Sequence, residues 1–110
     1  MPVLRVEYNP TKLDEAQLHS LAVFLSQKIS ESIKRPIEDV SVYAFPYHYT
    51  LNGADVEIYI EIGSKSLPES KEVLLGAVTE AFREYRQTHV IDAVVNLSVT
   101  EMNWCFSLNQ

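Results

Sequence analysis

A proline directly behind the initiator methionine, in Met1-Pro2-Val3-Leu4, is the residue of this chain whose position alone could give it chemistry. A small second residue invites removal of Met1, and Pro2 would then be a free secondary amine. An α-amino group titrates at about 7.7–8.0, and burial or a nearby cation lowers that toward neutrality, where the amine can act as a general base. Met-Pro is also a common start with no chemistry in it, so the case rests on what surrounds it.

The other reactive side chains offer less. His19, His48 and His89 fall on a helix, a loop and a helix end with no i, i+4 partner, which reads as surface or capping histidines and provides no metal site. Cys105, the single cysteine, sits between Trp104 and Phe106 and reads as a structural thiol; it can form neither an internal disulfide nor a thiolate cage. There is no Gly-x-Ser-x-Gly elbow, and Gly53, Gly63 and Gly76 make no phosphate loop, so no cofactor is expected. Arg5 and Lys65 read as solvated charges.

The elements that must position Pro2 follow from hydrophobic periodicity. Leu4, Val6 and Tyr8 alternate with Val3, Arg5 and Glu7, a half-packed strand running from about Pro2 to Tyr8. Thr11 with Asp14 three residues on resembles a capping box. Leu18, Leu21, Ala22, Leu25, Ile29 and Ile33 then form a helical stripe that closes before Pro36. Val40, Val42 and Ala44 make a second strand that Pro46 ends or confines to a sheet edge. After a turn through Asn52-Gly53, Val56, Ile58, Ile60 and Ile62 alternate with Glu57, Tyr59 and Glu61 as the clearest strand, ending at Gly63. Ser66 to Glu69 reads as the start of a second helix that buries Leu74, Ala77, Val78, Ala81, Phe82 and Tyr85. Ala93, Val95, Leu97 and Val99 form a fourth strand, and the aromatic tail could add a short fifth.

Strand, helix, strand is thus written twice at nearly the same pace. The expectation is an α/β fold: a duplicated βαβ unit, a four-stranded mixed sheet with two helices on one face. A ferredoxin-like βαββαβ domain would read the same way. The other sheet face would carry Arg5, Glu7, Tyr43, Glu57, Tyr59 and Glu61, mixed enough to meet solvent or another subunit. At 110 residues and 46% hydrophobic content, one domain over residues 1–110 is expected. A net charge of −6 argues against nucleic acid or an anionic membrane as partner, and the tyrosines and phenylalanines lack the basic residues of an RNA-binding sheet. With no membrane-spanning run and no signal-peptide layout, a reducing cytoplasm is the expected location.

Three segments, in order, resemble the tautomerase superfamily, the group that contains macrophage migration inhibitory factor and 4-oxalocrotonate tautomerase. They are Met1-Pro2 opening a strand, Ile33-Lys34-Arg35-Pro36-Ile37-Glu38-Asp39-Val40-Ser41-Val42 at a helix-to-strand junction, and Glu61-Ile62-Gly63-Ser64-Lys65 at a strand end; Glu101-Met102-Asn103-Trp104 is a fainter match. The resemblance covers most of the chain and implies a trimer. It also implies that Pro2 moves a proton between carbon and oxygen of an α-keto or enol substrate. Arg35 occupies the position of a basic residue that holds a substrate carboxylate or steadies the enolate, and its fork suits that task. The implied pocket lies around Pro2, Arg35 and the Ile62-Gly63 turn, with a loose match of Lys12 to an arginine at the first helix start.

The sequence also departs from the group. Ser41 stands where 4-oxalocrotonate tautomerase carries an arginine, and Asn96 and Ser98 are nearest to a tyrosine and an asparagine of macrophage migration inhibitory factor. The chain looks closest to an uncharacterised bacterial branch without an assigned reaction. The expected function is cofactor-independent tautomerisation or isomerisation of a small carboxylate-bearing compound. A non-catalytic ligand-binding or scaffold domain of the same fold is the alternative.

Overall fold

The computed structural model describes residues 2–102. In order it contains β1 (Val3–Tyr8), α1 (Glu15–Ile33), β2 (Ser41–Pro46), β3 (Val56–Gly63), α2 (Lys71–Thr88) and β4 (Val95–Met102), with 3-10 turns at Ile37–Asp39 and Ser64–Ser66. Met1, Asn103 and the tail readings at Trp104, Cys105 and Phe106 lie outside the described residues.

The sheet order is β2-β1-β3-β4. β1 is parallel to β2, β3 is parallel to β4, and β1 and β3 meet antiparallel at the centre. Each parallel pair is joined by its own helix, so two complete βαβ units stand side by side. A ferredoxin-like sheet would split each pair with another strand; here the paired strands are neighbours, which rules that topology out. Edge strand β2 takes Pro46 as its last residue, a position where a missing N–H costs no ladder bond.

Period-two alternation explains the core. Leu4 faces Ile60 and Val6 faces Ile58 across the central pair, and all four are essentially inaccessible. α1 covers them with Leu21, Leu25, Ile29 and Ile33, and α2 with Leu74, Val78, Phe82 and Tyr85. Each such side chain is worth roughly 1.5–3 kcal/mol when fully buried. Four expected core positions fall at stripe edges: Leu18, Ala22 and Ala81 are half-buried and Ala77 exposed, while Ser26 is buried. Among the described residues no helix is long and apolar enough to cross a membrane.

Both helix starts differ from the sequence reading. α1 is capped by Asp14, whose carboxylate accepts the Gln17 N–H at 2.8 Å while the Gln17 side chain takes the Asp14 N–H at 2.9 Å. Thr11 is occupied elsewhere: its N–H and hydroxyl both donate to Asn9 Oδ1, at 3.0 and 2.8 Å. α2 is capped by Ser70 rather than Ser66, because residues 64–66 are already committed to a 3-10 turn.

The face away from the helices forms a regular grid. Tyr43, Arg5, Tyr59 and Ser98 lie side by side across the four strands, with Phe45, Glu7, Glu57 and Asn96 in the row beside them. Arg5, Glu7, Glu57, Tyr59 and Glu61 are half-buried there, whereas Tyr43 and Phe45 on the edge strand are 54% and 50% exposed.

Candidate functional site

Pro2 directly precedes β1, a central strand, and a residue without an N–H is tolerated there only at the strand's entrance. Its carbonyl accepts the Ser41 N–H at 3.1 Å, fixing it beside the start of β2. On the other side Val3 pairs with Glu61, so one further residue along the antiparallel register sets Pro2 opposite Ile62. Gly63 pairs with Met102, and the Ser64 hydroxyl donates to the Met102 carbonyl at 2.7 Å, fastening the turn that follows β3. The structure therefore brings Pro2, Ile62 and Gly63 to one end of the sheet, where all three are buried.

Arg35 is at the same end, on the α1–β2 junction. α1 closes at Lys34, which takes the left-handed conformation (φ 58°, ψ 46°) usually left to glycine. The N–H groups of Lys34 and Arg35 both reach the Ser30 carbonyl, and the Ser30 hydroxyl donates to the Arg35 carbonyl. The backbone of Arg35 is thus held on both sides while its side chain stays 49% exposed, with Asp39 at 4.0 Å as its carboxylate partner. A pair that long and that wet is worth little, so the guanidinium can exchange Asp39 for another anion at small cost.

Not every sequence candidate gathers here. Lys12 lies beyond Tyr8, at the far end of β1, about 20 Å from Pro2 at the usual rise of a strand. Asn96 is near the start of β4, also toward the far end, and donates to Glu57 at 3.0 Å. Ser41 remains beside Pro2. A cavity of about 140 Å³ opens nearby on the helix side between Ser32, Ile33, Leu67, Val73 and Leu74, and neither Pro2 nor Arg35 lines it.

Arg5 corrects the expectation of a solvated charge. Its guanidinium stacks on the Tyr59 ring at 4.3 Å and pairs with Glu7 at 3.3 Å and Glu61 at 3.6 Å, and its Nε is shut off from solvent without a hydrogen bond. Alternation of Arg5 with Leu4 and Val6 marks the face it occupies but not its neighbours Tyr59 and Glu61, which come from β3.

No protein-family model matches this chain, and a search of curated proteins finds no match. Solved structures do match along almost all of it. A domain of unknown function (DUF1904) from Sebaldella termitidis superposes with a TM-score of 0.65 at 13% identity, covering 93% of this chain and 89% of its own. A macrophage migration inhibitory factor-like protein from Entamoeba histolytica gives 0.63 at 20% identity, covering 96% and 95%. The wild-type R7 fused 4-OT, described as an asymmetric trimer, gives 0.67 at 17% identity, covering 96% and 91%. The chain has the tautomerase fold. At such identities the likeness speaks for architecture alone. Within this tautomerase fold, the cluster of Pro2, Ile62 and Gly63 and the adjacent Arg35 rest on the contacts described above.

Proposed function

We propose that this protein, once Met1 is removed, is a cofactor-independent keto–enol tautomerase or isomerase of a small carboxylate-bearing compound. The observation that carries the reading is Pro2 buried at the entrance of a central strand, between the Ser41 backbone and Ile62. Burial disfavours the charged form of an amine, so a processed Pro2 would be held toward its neutral, basic state. Its nitrogen takes the proton from the carbon beside a keto group, the C–H electron pair becomes the enolate double bond, and the same proton is returned to oxygen. One hydrogen moves and nothing is oxidised. Arg35 grips the substrate carboxylate with two hydrogen bonds and offsets the negative charge that develops, and Ile62 and Gly63 wall the pocket.

Arg35→Ala should therefore lower kcat/KM for phenylenolpyruvate by about 10- to 100-fold, the scale of a charge-assisted hydrogen bond, with the melting temperature almost unchanged. Unaltered kinetics would remove Arg35 from the site.

A homotrimer formed through the open sheet face completes the proposal. Its support is the half-buried Arg5–Tyr59 stack beside the exposed rings of Tyr43 and Phe45, and the trimeric state of one solved protein of this fold. Sedimentation velocity at micromolar concentration is expected to give about three times the chain mass; a monomer alone would overturn it. One observation favours the alternative of a non-catalytic scaffold domain: a proline ring buried this completely already has a packing role. Processed protein without turnover would favour that reading.

A further inference from the structure

Charge is closely balanced on the junctions and strand ends around Pro2. Lys34, Arg35 and Lys65 are the cations there and Glu38, Asp39 and Glu101 the acids, while Glu61 already pairs with Arg5 at 3.6 Å. Of those first six, Arg35 and Asp39 form the one ion pair among the described residues.

The backbone of Asp39 is fixed independently of that pair. Asp39 closes the 3-10 turn Ile37–Asp39, where its N–H donates to the Pro36 carbonyl at 3.0 Å and the Val40 N–H to the Ile37 carbonyl at 3.0 Å. Pro36 enters the turn at φ −59°, the angle its ring imposes. Two residues beyond Asp39, the Ser41 N–H is held by Pro2 at 3.1 Å. The Arg35 side chain, by contrast, is long and carries five donors in a fork. A ligand carboxylate can take a free edge of that fork while Asp39 keeps its place and its charge.

We propose that Asp39 makes this site selective for compounds with a single carboxylate, because its fixed negative charge leaves no net positive charge for a second one. The inference rests on Arg35 as the carboxylate anchor of the reaction proposed above. Two carboxylates on different edges of one guanidinium lie roughly 7 Å apart, where like unit charges weaken binding by about threefold even in water. A monocarboxylate meets that repulsion once and is compensated by two hydrogen bonds to Arg35. A second carboxylate meets it again, and finds Lys34 and Lys65 matched by Glu38 and Glu101. Asp39 is thus a specificity-determining residue that acts through the field at Arg35.

Benzoate and terephthalate test it, since they share a ring, differ by one carboxylate and have no keto–enol equilibrium. Titrated into the full-length ¹⁵N-labelled protein, benzoate should shift the amide signals of Arg35 and Ser41 saturably and bind about threefold more tightly than terephthalate. Asp39→Asn should tighten benzoate about threefold and terephthalate about tenfold, which removes the preference, and high salt should erase both gains. Asp39→Glu keeps the charge and should keep the wild-type order. Shifts that fail to saturate or that centre elsewhere would overturn the proposal. So would tighter binding of terephthalate by the wild type, equal gains for the two acids in Asp39→Asn, or an Asp39→Glu protein that behaves like Asp39→Asn. Phenylenolpyruvate turnover is measured on the same samples: the expected binding pattern without turnover would strike the tautomerase reading and leave the monocarboxylate site standing.

Discussion

Tautomerase turnover is expected to fall by about 10²- to 10⁴-fold when Met1 stays on Pro2, the contribution typical of a positioned general base. Joined to Met1, Pro2 is a tertiary amide whose nitrogen lone pair is delocalised into the carbonyl; no pocket can make it a base near neutral pH. Pro2→Ala tests something narrower. After removal of Met1 it still presents an α-amine, now primary and no longer held by a ring packed at the strand entrance. Its loss should be smaller, roughly tenfold or more, and should appear in kcat more than in KM if the ring positions the nitrogen. Intact mass establishes which terminus each preparation carries, and phenylenolpyruvate provides the assay. Equal activity of the processed protein, a form extended by one uncleaved residue and Pro2→Ala would end the Pro2 mechanism.

A comparably large effect, on stability, is expected at Ile60. This side chain is inaccessible, lies on the third strand opposite Leu4 and Val99, and belongs to the hydrophobic cluster under both helices. Ile60→Ala removes three carbons from a site walled on all sides, so collapse around the void is limited and the cost is about 2–5 kcal/mol. Against a typical total of about 5–15 kcal/mol for a domain, that is a drop in melting temperature on the order of 10–20 °C. Ile60→Val should cost only about 0.5–1.5 kcal/mol. Urea denaturation should rank wild type, Ile60→Val and Ile60→Ala in that order; an alanine variant as stable as wild type would mean that this strand is not the centre of the core.

The layers were legible because each strand and helix carries its own period: Val56 to Ile62 could be read as a half-packed strand with no knowledge of its neighbours. Strand order was not, since β1 pairing with β2 and β3 is a long-range choice that no local pattern encodes. The helix starts were misjudged where two residues compete for one role. Thr11 looks like a cap until Asn9 claims both its donors, and Ser66 looks like one until the 3-10 turn absorbs it. Of the candidate site, Pro2, Ile62 and Gly63 meet at one sheet end, and Arg35 lies at that end with Asp39 as its partner. The surroundings of Arg5 and the convergence of Ser20 with Tyr85 join residues on different elements, and no spacing along the chain announces either.

The antiparallel contact of β1 with β3 relates the two βαβ units by an approximate twofold rotation, which keeps each side chain on its face of the sheet, so that Leu4 and Val56, the first helix-facing residues of their strands, correspond. Pro2 then corresponds to Ala54, which is buried as Pro2 is. There the same structural niche is used as a clasp: the Ala54 carbonyl accepts the Tyr47 hydroxyl at 3.2 Å, and the adjoining Asp55 carboxylate accepts the Val94 N–H at 2.9 Å. Folding geometry can be copied within one polypeptide, but a chain terminus cannot. If the reacting group is the terminal amine, the stoichiometry is one centre per chain, although the architecture contains two equivalent niches, and the second is free to serve only as a joint.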